Sequence, residues 1–361
     1  MPTQSANSAP PKRRHAKRGF ERTLLGLRYR LEYVLVRVVG FGLRHIPVEM
    51  ASGLMGAIMG LVMPLTARHA RALEHLRFAL PELEEAERRS IARRMWVHLG
   101  RVAGESFQID KIMADTRRVS LPPDFDHFRE LCRDGAINAA VHLGNWEIGG
   151  VMPRAAGLQL AGVYQPLHNP YVERYLKSLR ASAYPAGLFA KGPKVGHTLV
   201  NLVRQGAGIG LVADFREMRG VGVTFFGQPA FATPLPAMLA RATGRPIIAG
   251  AVIRTHGVHF RGVLAHVPVK QTDDRERDIA EATQALHDVY ERWIREAPEQ
   301  WMWTHRKWAR SRRRELTVAT AEPDEAAASS DTAPDHAEVV APPGPLPAQS
   351  APEPERAARS R

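Results

Sequence analysis

His142 and Glu147 lie five residues apart in His142-Leu143-Gly144-Asn145-Trp146-Glu147. An imidazole with a carboxylate nearby suits a general base acting on a hydroxyl group. The apolar run over 137–141 reads as a buried strand, and the Gly-containing residues after it read as a turn opening a helix. Two further pairs share the spacing, His69/Glu74 and His168/Glu173, where chance alone gives about 1.5 matches of His to any acid from 15 His and 37 acidic residues in 361. His69 sits in an Arg- and Ala-rich stretch that reads as an exposed helix, and His168 precedes the turn signal Asn169-Pro170. Only His142 follows a strand. Two readings stand for it at this point, a catalytic base and a satisfied core histidine.

The elements that must hold such a group are bounded by composition. The chain has 361 residues, 44% of them apolar, which is enough for a sizeable core. Cys132 is the single cysteine, so intrachain disulfides and zinc sites built on paired cysteines are excluded. The formal charge of +13 favours anionic partners. Residues 1–19 hold five Lys/Arg and no acid and read as a basic, flexible arm. From Thr317 to Arg361 there are eight Pro, no aromatic residue, and eight acids against three Arg; this tail cannot bury enough apolar surface to order itself. The expected organisation is a basic arm over 1–19, membrane-associated helices over 20–64, an α/β domain over 65–312 and a disordered tail over 313–361.

Residues 20–64 are rich in Leu, Val, Met and Gly, and the stretch 50–67 is uncharged for 18 residues, the lower limit for a spanning helix. Flanking Arg residues suit anionic head groups. The segment reads as a helical pair lying in or dipping into a leaflet; a single span by the first helix and an ordinary packed hairpin are the alternatives. Residues 84–109 form an amphipathic helix with Ile91, Met95, Leu99 and Val102 on one face. Beyond about 125, short apolar runs over 137–141, 160–164, 208–213, 222–226, 246–253 and 259–265 are joined by helical stretches that include 170–183 and 235–243. This alternation predicts an α/β fold, a sheet with helices on its faces. His142 and Asp214 both fall at strand ends, where sites in such folds gather. The chain lacks G-x-S-x-G, a P-loop and a G-x-G-x-x-G after a strand, and Cys132 reads as a structural thiol.

Ordered blocks sharpen this. Gly162-Val163-Tyr164-Gln165-Pro166-Leu167-His168-Asn169-Pro170, then Asp214 with the later Gly222-Val223-Thr224-Phe225-Phe226-Gly227, then Leu239-Ala240-Arg241-Ala242-Thr243-Gly244-Arg245-Pro246, then Pro298-Glu299-Gln300-Trp301-Met302-Trp303-Thr304-His305-Arg306-Lys307-Trp308, resemble in sequence and order the lipid A late acyltransferases. The resemblance covers roughly residues 20–312. Gln165 stands where that family usually has Arg, and Phe215 where it often has a polar residue.

The resemblance implies a mixed central sheet flanked by helices, as in glycerolipid acyltransferases, and four functional positions: His142, Glu147, Arg180 and Asp214. It implies acyl transfer from a thioester to a hydroxyl of a lipid A precursor, with no metal or bound organic cofactor. In the expected mechanism His142 is the base and Glu147 holds its tautomer. Backbone N–H groups at Gly144 and Asn145 receive the oxyanion. Arg180 contacts oxyanion or phosphate, and Asp214 positions the acceptor or Arg180. Phe225 and Phe226 read as core or as wall of an acyl pocket, and Trp301, Trp303 and Trp308 as an interfacial belt or as packing. The expected donor is acyl carrier protein, whose acidic surface suits the basic body, or else acyl-CoA. The expected location is the cytoplasmic face of the inner membrane, on anionic lipid and without nucleic acid. Acylation of another glycolipid or lysolipid is the alternative within enzymes; a non-enzymatic basic protein coating membrane or nucleic acid is the alternative outside them.

Overall fold

The computed structural model describes residues 12–192 and 195–308. Five helices lead: α1 (Lys12–His45), α2 (Val48–Val62, continued by a 3-10 turn to Leu65), α3 (Ala67–Ala79), α4 (Glu85–Glu105) and α5 (Ile109–Ala114). There follow β1 (Val119–Ser120), α6 (Phe125–Leu131), β2 (Ala136–Gly144), α7 (Val151–Ala155), β3 (Leu160–Tyr164), α8 (Pro170–Arg180), β4 (Leu188–Ala190), α9 (Val195–Arg204) and β5 (Gly208–Val212). The last group is β6 (Arg216–Phe225), β7 (Gln228–Ala232), α10 (Leu235–Thr243), β8 (Ile247–His256), β9 (His259–Val267) and α11 (Arg275–Glu296). Helix α1 begins inside the stretch expected as a basic arm. Residues 1–11 and the tail expected over 313–361 lie outside the described residues.

Seven strands form one mixed sheet in the order β1-β9-β8-β2-β5-β3-β4. Strand β2 is central, parallel to both β5 and β8, while β8 and β9 run antiparallel. A strand covered on both faces reads as a continuous apolar run, which is why 137–141 carries no alternation. The six strands expected from sequence are all present; β1, β4 and β7 are too short or too irregular to show a period. Strands β6 and β7 make a separate two-stranded antiparallel ribbon.

The apolar N-terminal segment is a pair of helices, and its surface is unusual. Leu24, Leu27, Leu31, Val34, Val38 and Phe41 of α1 are exposed at helical spacing, as are Met50, Leu54, Ile58, Leu61 and Leu65 along α2 and its turn. Such stripes are what an interfacial helix buries in lipid. Among the described residues one helix is long and apolar enough to cross a membrane by composition, Val48–Leu65, and it is the second of the pair rather than the first. The inner side of α2 lies hard against α4. A Cβ at Gly104 would stand 2.6 Å from the Ala51 carbonyl oxygen, and one at Gly100 would collide with that of Met55. Helix α1 in turn holds α8: Asn169 Nδ2 donates to the Tyr29 carbonyl at 2.9 Å, and the Arg37 guanidinium lies 4.7 Å from the Tyr175 ring centre.

Candidate active site

Strand β2 delivers His142 to the carboxyl edge of the sheet, where Gly144 turns the chain at φ 62°. That sign of φ suits glycine, and a Cβ there would run into the Val252 carbonyl of β8. Past β5, Asp214 sits fully inside the protein at 2% exposure. Its Oδ1 is 2.7 Å from His142 Nδ1. Its Oδ2 accepts the His142 backbone N–H at 3.1 Å and the Trp301 indole N–H at 2.8 Å. Burial works against the Asp214 charge, but His142, the hydrogen bonds from its ring and from Trp301, and the buried Lys307 outweigh it and hold the carboxyl well below the usual range. A carboxylate accepting from Nδ1–H leaves Nε2 as the basic nitrogen. The imidazole plane is fixed as well, because Phe215 stacks on it at 3.8 Å and 10° and Trp146 meets it edge-on at 5.1 Å. His305 packs against Phe215 at 3.6 Å and also meets the His142 ring at 5.5 Å, and burial, with His142 nearby, pushes it down to about 4.

Glu147 is elsewhere engaged. After Gly144 the chain enters a 3-10 turn, Trp146–Ile148, in which the Asn145 side chain accepts the Glu147 N–H. The Glu147 carboxylate takes two hydrogen bonds from Arg180, Nε and Nη2, each 2.6 Å. This planar fork is the geometry in which Arg surpasses Lys. Arg180 stands in the last turn of α8, whose start is set by Asn169 capping the Tyr171 and Val172 N–H groups ahead of Pro170 at N1. The Asn-Pro block is therefore a helix start, and its product is the placement of Arg180. With Nε and Nη2 committed, Arg180 Nη1 has no protein hydrogen bond among the described residues.

His142, Glu147 and Arg180 line one cleft of about 420 Å³. Lys177, Lys191, Arg216, Glu173 and Glu217 line it too, so with Arg180 and Glu147 its lining carries four cations and three carboxylates. Tyr164, Leu176, Leu188, Leu211 and Leu235 supply apolar wall. A narrower apolar slot of about 70 Å³ adjoins it, with Trp146, Val163, Tyr184, Leu211 and Val212 common to both. The slot runs over the sheet beneath Met152 and Pro153, with Ala140, Gly210 and Gly250 in its lining and Asn138 at the far end from His142. The Asn138 amide nitrogen is buried without a hydrogen-bond partner.

A family model of bacterial lipid A biosynthesis acyltransferases matches residues 17–310 of this chain. The chain belongs to that family. No curated protein matches it. As a lipid A acyltransferase family member it acts on lipid A-type substrates by acyl transfer.

Within this acyltransferase, the expected pairing of Glu147 with the imidazole is corrected: Asp214 binds His142, and Glu147 binds Arg180. Asp214 accordingly does not bond Arg180 and does not itself line the cleft; it reaches the cleft only through His142. The expected oxyanion donor at Asn145 is corrected also, since its N–H donates to the Val252 carbonyl at 2.8 Å and its side chain is fully buried. Phe225 and Phe226 are core and do not line the cleft. Phe226 occupies the hairpin turn between β6 and β7 at φ 55°, unusual for a bulky residue; Glu291 accepts its N–H, and its ring packs among Trp301, Trp303 and Trp308. Those three tryptophans are themselves buried, which removes the interfacial belt. The closing segment instead backs the site: Met302 N–H donates to the His142 carbonyl at 3.3 Å, and Lys307 donates to His287 Nε2 at 2.9 Å. Of the other His-x4-Glu pairs, Glu173 accepts from the Tyr164 hydroxyl, and His69 accepts from Trp96 Nε1 in a partly buried contact.

Proposed function

We propose that the protein transfers a fatty acyl group from a thioester donor to a hydroxyl of a lipid A precursor, with His142 as general base and Asp214 as its buried orienting carboxylate. The observation that carries this reading is the Asp214–His142 Nδ1 contact of 2.7 Å beside a cleft lined by both charged and apolar side chains. His142 Nε2 takes the acceptor proton as the hydroxyl oxygen attacks the thioester carbonyl. The imidazolium that forms is stabilised by Asp214. It then protonates the departing thiolate, so the proton balance closes without a metal or bound cofactor. Arg180 Nη1, aimed by Glu147, meets the charge that develops on the carbonyl oxygen or on an acceptor phosphate. Lys177, Lys191 and Arg216 suit the anionic groups of such an acceptor or of the donor's phosphopantetheine arm. An acidic acyl carrier protein fits the charge of the body, which is +18 once the tail's −5 is set apart from the total of +13; acyl-CoA is the other donor. The exposed stripes on α1 and α2 support a lipid surface as the working location, which we take to be the cytoplasmic face of the inner membrane.

The test is transfer of labelled acyl chain from each donor to a lipid A precursor by the purified protein. An Arg180→Lys variant keeps the charge and loses the fork, and its initial rate should fall about 10- to 100-fold. An unchanged rate would remove Arg180 from the chemistry.

The slot beside His142 suits the acyl tail. From His142 to Asn138, side chains 142, 140 and 138 share one face of β2, a depth of about 13 Å, which is the reach of a medium-length chain. An unpaired amide at the end is a poor neighbour for further methylenes. Gly250 pairs with Ala140 across the slot floor, and a Cβ there makes ordinary contact with Leu264 at 3.4 Å. A Gly250→Val variant should fold and shift preference toward shorter donors by roughly tenfold or more. Mass spectrometry of products from a mixture of donors reads this directly, and an unaltered chain distribution would place the tail elsewhere.

A further inference from the structure

We propose that Glu105, at the end of α4, is a positioning residue for acyl transfer, acting through Asn145 and Glu147 on Arg180; this rests on the reading of the cleft given above. Glu105 is fully buried and outside the cleft. Each of its oxygens takes two donors. Oε1 accepts from Ser52 Oγ of α2 at 2.6 Å and from Arg254 Nη1 of β8 at 2.7 Å. Oε2 accepts from Asn145 Nδ2 at 2.7 Å and from Arg254 Nη2 at 2.8 Å.

A buried ion pair is a poor source of net stability, because desolvation offsets most of the attraction and apolar replacements often serve as well. What this one supplies is orientation. An acceptor facing Asn145 Nδ2 obliges the other end of that amide, Oδ1, to face the Glu147 N–H, which it meets at 3.1 Å. The backbone of Glu147 is thereby fixed, and with it the carboxylate that aims Arg180. The same turn is braced by His98 Nε2 against the Gly144 carbonyl at 3.0 Å, with Arg254 Nε 3.5 Å from His98 Nδ1. Burial and the adjacent Arg254 push His98 down to about 3, so the ring is a neutral donor to that carbonyl. The rear of the catalytic turn is therefore wired to α4 and β8, and through Ser52 to the helix that bears the apolar stripe. A Gln at 105 offers a single acceptor oxygen to four donors, so the Asn145 amide loses its fixed sense.

The experiment is steady-state kinetics of the full-length Glu105→Gln variant with both substrates varied, alone and combined with Arg180→Ala, with the unfolding midpoint followed in parallel. The expected result is a fall in kcat of about 10- to 100-fold with each KM within about threefold of wild type, as misplacement of a charge-stabilising group produces. In the Arg180→Ala background Glu105→Gln should cost less than about threefold more, because both act on one element. If Glu105→Gln does not accumulate as folded protein, Asn145→Ala cuts the same link while leaving the Glu105–Arg254 pair intact, and the same pattern is expected. Wild-type kcat, a change confined to KM, full multiplication of the two effects, or an Arg180→Ala variant with undiminished rate would each overturn the proposal. The base assignment is judged separately, by His142 variants.

Discussion

An Asp214→Asn variant should keep its fold and lose about 10,000-fold in turnover, the scale seen when an orienting carboxylate becomes an amide in a triad. The carboxylate accepts three N–H groups, from the His142 ring, the His142 backbone and Trp301. An amide has one acceptor oxygen. If that oxygen keeps the His142 backbone and Trp301 donors, the NH2 group faces Nδ1 and forces the ring proton onto Nε2. The base then has no lone pair toward the substrate. Packing should hold, since Asn is isosteric and Phe215 still clasps the imidazole. Purified variant and wild type compared under saturating donor and acceptor would show this, together with an unchanged near-ultraviolet dichroism spectrum. A loss of less than about tenfold would mean that Asp214 serves the fold and not the tautomer.

The second large effect is at His142 itself. His142→Gln removes the only group in the account that accepts the hydroxyl proton, and general-base catalysis contributes about 100- to 10,000-fold. Because His142 and Asp214 act as a unit, the double variant His142→Gln/Asp214→Asn should be little worse than either single change. Independent, multiplying losses would break the pairing. Initial rates with a radiolabelled acyl thioester measure both points.

His142 was legible as a candidate because a doubly buried strand must end in a turn, where sites gather, although a satisfied core histidine fitted the same pattern. The partner was not legible. Spacing in the chain favours Glu147, but a glycine at positive φ followed by a 3-10 turn swings residue 147 toward α8. The true partner comes from the end of β5, 72 positions away, brought alongside by parallel pairing of β2 with β5. Glu105 shows the same limit more sharply. It sits near the end of an amphipathic helix whose apolar face declares itself, yet its partners are Ser52, Asn145 and Arg254, which no local pattern joins. The Phe225-Phe226-Gly227 block was visible as a block, but its use was not: a two-residue hairpin turn with positive φ at both central residues drives one aromatic ring into the core. The tryptophans of the closing segment could equally serve a membrane interface by composition, and only their burial against Phe225 and Asp214 decides for packing.

The most direct test is intact-lipid mass spectrometry of a lipid A precursor incubated with acyl thioester and purified protein, wild type beside His142→Gln. The account predicts a gain of one fatty acyl group with the wild type and essentially none with the variant at equal times. No gain with either donor class, or an equal gain with the variant, would contradict it.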